Sequence, residues 1–345
     1  MSKRLPAEWE PQSAVQLTWP HEGTGFRPWL AEVSAVFEAM GRAILENGQE
    51  LVVACHDAGV VAAVRTALGA SPALHTVITG SDDVWSRDHG PITIERDGRR
   101  VALDFRFTGW GGKFEAALDD RIPQRLGERG SERVRALLGP VETVELVLEG
   151  GGIESDGQGT ILTTESVLLN PNRTSLDRAG VEGALARHLG AERVLWLAFG
   201  HLEGDDTDGH IDTLARLCDP HTIAYVACDD PTDTHYESLA AMARELRGLR
   251  TAEGQPYRLA PLPWPRAVYS DDGSRLPVTY ANFLIIERAV LVPTYRDPAD
   301  GQAIEALRPL FPGRAIIGID CLPLVRQYGS LHCATMQLPR LEGGL

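Results

Sequence analysis

Trp85-Ser-Arg-Asp-His-Gly-Pro91 runs straight into Ile92-Thr-Ile-Glu95, and beyond Arg96-Asp-Gly98 the chain returns through Val101-Ala-Leu-Asp-Phe-Arg-Phe107. Two β-prone runs joined across Asp-Gly read as a hairpin, because that dipeptide tolerates the positive φ values of a tight turn. Upstream, Trp29, Val33, Val36, Phe37, Met40 and Ile44 recur at helical spacing, and Asn47-Gly48 closes a helix over 29–47. Leu51-Val-Val-Ala54 reads as a buried strand, Asp57 as the cap of a second helix reaching Leu68, and His75–Thr79 as a strand entering the Trp85 loop. The order is helix, strand, polar or glycine-rich loop, hairpin.

Degenerate copies of that order follow. Val144–Leu148 leads to a hairpin of Ile153-Glu154 with Thr160–Ser166 and a helix from Ser175 to Leu189. Val194–Leu197 leads to Ile211–Leu217 and Thr222–Ala227, then a helix over 234–249. Asn282–Ile286 pairs with Ala289–Pro293, followed by a helix near Ala303–Leu310, the strand Ala315–Ile319 and a last strand Leu331–Gln337. Five such units, roughly 50 to 70 residues apart, predict an α/β repeat architecture that is circular or stacked. No Ser/Pro-rich linker interrupts them, so one closed domain over residues 1–345 is expected.

Composition narrows the function. A net charge of −15 disfavours a nucleic-acid backbone as partner and suits a cationic ligand, although solubility alone also explains an acidic surface. Five scattered cysteines without a C-x-x-C pair indicate neither a disulfide framework nor a zinc knuckle, and fit a reducing compartment. The N-terminal Met-Ser-Lys-Arg lacks a following apolar segment, and no apolar run approaches membrane-spanning length, so a cytoplasmic protein is expected.

Four motifs fall at corresponding points of the units and would converge around an axis: the Trp85 loop, Leu148-Glu-Gly-Gly-Gly152, Thr207-Asp-Gly-His-Ile-Asp212 and Tyr328-Gly-Ser-Leu-His-Cys333. Cys333 is the candidate nucleophile, because a thiolate attacks a C=N or C=O carbon readily. On a strand, His210 and Asp212 share one face as proton carrier and anion; a solvated pair, or a metal site completed by His89, are the rival readings. His332, next to Cys333 along a strand, would point the other way as a structural histidine.

Asp88 is either a ligand-facing carboxylate or the salt-bridge partner of Arg87, and Glu149 either enters a site or faces water. Asp205, Asp206 and Asp208 form either a solvated turn or a clamp on the positive end of a ligand. Trp19 and Trp85 are core residues or aromatic walls around a planar cation. A guanidinium unites the set: it stays charged, with a pKa of about 13.8, and bidentate carboxylates clamp it at about 1.5–3 kcal/mol per charge-assisted bond. The bound cation and His210 would both help Cys333 become a thiolate.

On these motifs, together with Thr18-Trp-Pro-His21, Leu162-Thr-Thr-Glu165, Leu169-Asn-Pro-Asn-Arg173 and Tyr280-Ala-Asn-Phe-Leu284, the chain resembles the agmatine deiminase and bacterial peptidyl-arginine deiminase family over nearly its whole length. The resemblance implies a pentein α/β propeller, five ββαβ-type units around a pseudo-fivefold axis, acting without metal or cofactor on a small cationic guanidine. It implies Cys333 as nucleophile, His210 as general acid and base, Asp88 and Asp212 as guanidinium clamps, Glu149 as a further carboxylate beside His210, and Trp85 lining the pocket. Agmatine is the expected substrate and N-carbamoylputrescine the product, with Asp206 facing the amine one methylene short of the glutamate common in the family. The nucleophile loop departs from the family's Gly-Gly-Gly-Asn-Ile-His-Cys, so contacts to the ligand tail differ. Peptidyl-arginine or another guanidine as substrate, amidino transfer to an amine, a non-enzymatic binding module and metal-dependent hydrolysis are the alternatives. The sequence leaves a homo-oligomer open.

Overall fold

In the computed structural model, which describes residues 2–340, five sheets of three or four strands account for nearly all the β structure, with one two-stranded ribbon besides. Each of the five contains an antiparallel pair and a parallel strand reached through helix. Ile92–Arg96 and Arg99–Arg106 pair across Asp97 and Gly98, both at positive φ as the sequence requires, and Val141–Val147 adds in parallel after helices Ile122–Arg129 and Glu132–Leu138. Ile153–Ser155 and Thr160–Thr164 take Arg193–Leu197 after helix Arg178–Leu189, whose N-terminus Asp177 caps through Gly180 N. Ala215–Asp219 and Thr222–Val226 take Arg258–Leu262 after helix Tyr236–Gly248. Leu284–Ile285 and Ala289–Thr294 take Ala315–Asp320 after helix Asp300–Leu307.

The fifth sheet is built from both ends of the chain. Thr335–Pro339 lies antiparallel to Gln12–Thr18, which pairs in parallel with Glu50–Cys55 across helix Leu30–Glu46. Leu74–Ile78 extends that sheet after helix Ala58–Leu68, capped by Asp57. The N-terminal helix therefore belongs with the last strand, not with the hairpin that follows it. Parallel pairing requires a crossover, so each helix lands against its own sheet.

Two expected strands are shorter at their starts, and both differences bear on chemistry. His210 precedes a 3₁₀ turn, Ile211–Thr213, and the strand begins only at Ala215. Thr207 Oγ1 accepts from His210 N at 3.1 Å and Thr213 Oγ1 donates to His210 O at 2.9 Å, so local side chains take the backbone groups a strand would have paired. Likewise residues 331–334 form a turn, and the strand starts at Thr335.

Candidate active site

The turn Gly150–Gly152 brings the motifs together. A Cβ at Gly151 would stand 2.6 Å from His210 Nδ1, 2.8 Å from Asp88 Oδ1 and 3.3 Å from Asp212 Oδ1, so three polar atoms from three segments meet where only a hydrogen fits. Asp88 sits in the helical turn Ser86–His89; its Oδ1 accepts from Gly151 N at 3.1 Å and its Oδ2 from Trp110 Nε1 at 3.0 Å. Trp110 is held at φ 55°, a strained conformation for a bulky residue, between glycines of positive φ. His210 is buried between two carboxylates, with Nδ1 3.6 Å from Asp88 Oδ1 and Nε2 3.7 Å from Glu149 Oε2. Both oxygens of Glu149 accept from Arg173 Nε, at 3.1 and 3.0 Å.

Cys333 is placed by Asn282. Its amide Oδ1 accepts from His332 N at 2.9 Å and from Cys333 N at 3.2 Å, while its Nδ2 lies 3.2 Å from both Cys333 Sγ and Asp212 Oδ2. Cys333 Sγ is 3.7 Å from Asp212 Oδ2. Asp212 Oδ1 and both ring nitrogens of His210 are buried without a hydrogen-bond partner. Buried polar atoms left open in this way cost stability unless a ligand completes them.

The buried groups shift one another's pKa values. Burial pushes the Asp88 carboxyl up to about 6, with Asp212 and Glu149 adding repulsion that His210 opposes. Burial alone would lower His210, but Asp88, Glu149 and Asp212 together raise it to about 9. Burial, then the Asp212 and Asp88 charges, hold the Cys333 thiol well above its ordinary value. A cation among these carboxylates would reverse the last shift.

A scan against family models matches the Porphyromonas-type peptidyl-arginine deiminase family over residues 4–339. The chain belongs to that family. An agmatine deiminase of Stutzerimonas stutzeri is 33% identical over 97% of this chain and 95% of its own. Among solved structures, a cysteine-to-serine variant of C. jejuni agmatine deiminase with substrate bound is 33% identical, with TM-score 0.90 over 99% of this chain and 97% of that one. A Porphyromonas gingivalis chain provisionally named an arginine deiminase is 47% identical, with TM-score 0.89 over 98% and 99% of the two chains. The reaction class follows: a guanidine deiminase, hydrolysing C–N bonds of linear amidines.

Cys333, His210, Asp88, Glu149 and Asp212 lie within one buried neighbourhood. The premise for His210 and Asp212 needs correction: they meet over Gly151 from a 3₁₀ turn, not from one strand face. His332 does not point away from Cys333's neighbourhood either. In a turn rather than a pleat, its Nδ1 lies 2.7 Å from Asp212 Oδ2, the oxygen Cys333 also approaches. Trp85 packs on Phe26 and lies under Gly329, where a Cβ would stand 2.4 Å from its ring, so it supports the loop that leads to Cys333. Trp19 is buried in the same apolar core, 2% exposed and edge-on to Phe37 at 5.8 Å.

Asp205 and Asp208 are consumed locally. Asp205 accepts from the Thr207 and Gly209 amides, and Asp208 binds Lys113, Asn172 and Arg173. Asp206 instead has its carboxyl raised to about 7 by burial and by Asp205, within reach of the opposing charges of Lys113 and His210. The suggested metal ligand His89 turns away, toward Thr18 Oγ1 at 3.2 Å and Asp119 at 3.6 Å. Among the described residues, the one cluster with metal-like spacing is Glu8, Glu154 and His332, and Arg216 already lies between its carboxylates, 2.9 Å from Glu8 Oε2 and bonded through Nε to Glu154.

Sequence reasoning passes over Trp110, Arg173, Asn282, Glu8 and Arg216 as site residues. Asn282 and Arg173 stand inside family motifs, and a polar residue flanked by Ala281 and Phe283 is a signal for the first. Nothing local marks Arg216, which sits in an ordinary strand.

Proposed function

We propose that the protein converts agmatine and water to N-carbamoylputrescine and ammonia. The observation that carries this reading is the set of open polar atoms, His210 Nδ1 and Nε2 and Asp212 Oδ1, beside Asp88 and Cys333. A guanidinium offers N–H donors in a plane to Asp88, Asp212 and Glu149, and its charge lowers the cost of a thiolate at Cys333. The thiol proton leaves to solvent as the cation binds. Sγ forms a bond to the guanidinium carbon, His210 gives its proton to the departing nitrogen, and the C–N bond breaks to release ammonia. The amidino-thioether cation remains on Cys333. His210, now neutral, takes a proton from water whose oxygen bonds to the same carbon; the C–S bond breaks, the thiolate departs, and loss of a proton leaves the ureido product.

Asp206 is the partner we assign to the distal ammonium, since that cation would remove the penalty of its burial. One observation favours a second reading, deimination of free or peptidyl arginine: sequence identity is 47% to the P. gingivalis chain and 33% to each of the two agmatine deiminases, with closely similar TM-scores for the two solved structures. The five sheets with their shared strand order support a pentein arrangement around a pseudo-fivefold axis, as one domain spanning the chain. No helix among the described residues is long and apolar enough to cross a membrane. Five free cysteines support residence in the cytoplasm, and a homo-oligomer is compatible with all of this.

The deciding experiment measures ureido product from agmatine, arginine and a peptide with an internal arginine, with and without chelator. Turnover of agmatine alone, unaffected by chelator, is the expected result; turnover of the arginine substrates instead would move the assignment to the second reading.

A further inference from the structure

His332 occupies an unusual position in the charge network behind the nucleophile. Its Nδ1 lies 2.7 Å from Asp212 Oδ2 and its Nε2 2.7 Å from Glu8 Oε2, and the ring is buried. The ring is therefore held at both nitrogens, by carboxylates from two distant segments, and cannot rotate without giving up a contact. Glu8 cannot turn aside to relieve the contact. Its Oε1 accepts from Ile285 N at 2.7 Å and its Oε2 from Arg216 Nη2 at 2.9 Å, with Arg87 at 3.5 Å. Arg216 is fastened in turn by Glu154, by the carbonyls of Ala281 and Phe283, and by stacking on the Phe283 ring at 4.7 Å.

We propose that His332, held between Glu8 and Asp212, acts as a positioning residue which fixes Asp212 with its second oxygen free for the guanidinium. The charged groups facing it are Asp212 and Glu8 directly, with Glu154, Arg216 and Arg87 around Glu8. His332 and Asn282 together occupy Asp212 Oδ2, which leaves Oδ1 as the open acceptor over Gly151. Without His332, Asp212 would lose the partner that orients it and part of what keeps it ionised in a buried site. The inference rests on the guanidine deiminase reading.

Turnover of agmatine by the wild-type protein tests the deiminase reading by itself. Given that turnover, His332→Gln, a donor of similar reach, should raise KM for agmatine about tenfold or more, the loss of one charge-assisted orientation. It should lower kcat less and move the acid limb of the kcat/KM profile to higher pH, as Asp212 becomes easier to protonate. Glu8→Gln should move the same limb in the same direction by less. A folded His332→Gln with unchanged KM and an unmoved acid limb overturns the positioning role; if that variant does not fold, Glu8→Gln carries the same reading.

Discussion

Two clusters of buried charge meet at the centre of this molecule, joined by His332, and they are finished to different degrees. In the cluster of Glu8, Glu154 and Arg216, every carboxylate oxygen has a donor: Ile285 N, Arg216 and His332 for Glu8, Arg216 and Leu217 N for Glu154. In the cluster of Asp88, Glu149, Asp212 and His210, the imidazole has no hydrogen bond at either nitrogen and Asp212 keeps one oxygen open. Charge alone does not separate the two, since both hold carboxylates beside cations. Completion does. A closed cluster specifies structure, whereas an open one stores an unmet demand that a ligand of matching shape and charge can fill.

The largest expected effect tests whether the open cluster is catalytic at all. Cys333→Ala should lower ureido-product formation on the order of 10⁴-fold or more while calorimetric binding of agmatine persists, because the thiol forms the bond and the carboxylates hold the cation. Retained turnover would break the comparison outright.

The next effect falls on the closed cluster. Arg216→Met leaves Glu8 and Glu154 buried without their cation, and should cost roughly 3–5 kcal/mol of stability in denaturant unfolding. A loss below about 1 kcal/mol would mean that the cluster does not depend on its cation for closure.

Asp88→Asn should reduce kcat/KM roughly 10- to 150-fold, the worth of one charge-assisted clamp, without a stability loss approaching that of Arg216→Met. Two limbs of pH dependence sharpen the same point. Asp88 is raised to about 6, so KM should climb as pH falls through 6 and the clamp is protonated. His210 is raised to about 9, so the proton it gives to ammonia is lost above that pH and kcat should fall. Both pKa values are raised on folding, so stability falls with rising pH for both groups, in different windows. His210 contributes stability that is full below the ordinary histidine range and lost as pH rises through about 9. Asp88 lowers stability as pH rises from the ordinary carboxylate range through about 6, above which the cost is complete, and bound guanidinium removes it. Unfolding midpoints with and without agmatine, followed from about pH 4 to 10, would read both.

The smallest effect concerns the ligand tail. Asp206→Asn should raise KM for agmatine by about fivefold, near 1 kcal/mol, while leaving kcat nearly unchanged, since the distal ammonium is remote from the reacting carbon. An equal effect on arginine-containing substrates would detach Asp206 from the amine.

Much of the molecule is legible in the chain itself. The hairpin across Asp97-Gly98 follows from two residues that accept positive φ, and the helix over 30–46 from a stripe of apolar residues. The roles proposed for Cys333, His210, Asp88, Glu149 and Asp212 rest on residue types in motifs that recur with the units and on the family resemblance those motifs carry. The strand Gln12–Thr18 is not legible, because its partner lies at the far end of the chain and its pattern carries no turn signal. Trp19 cannot be sorted from Trp85 by sequence, since both are aromatic residues beside polar motifs, and in the structure both lie in one apolar core, against Phe37 and Phe26.

The sequence by itself determined the repeat of strand, helix and hairpin and the functional groups hung on it, because those rest on local periodicity, turn chemistry and the reactivity of individual side chains. Tertiary structure alone decided that Asp212 opens one oxygen to a ligand, that His332 and Glu8 stand behind it, and that Arg216 closes the neighbouring cluster. These are distances between residues as much as 324 positions apart. Which polar atoms are satisfied depends on what burial brings against them, and no local pattern encodes that.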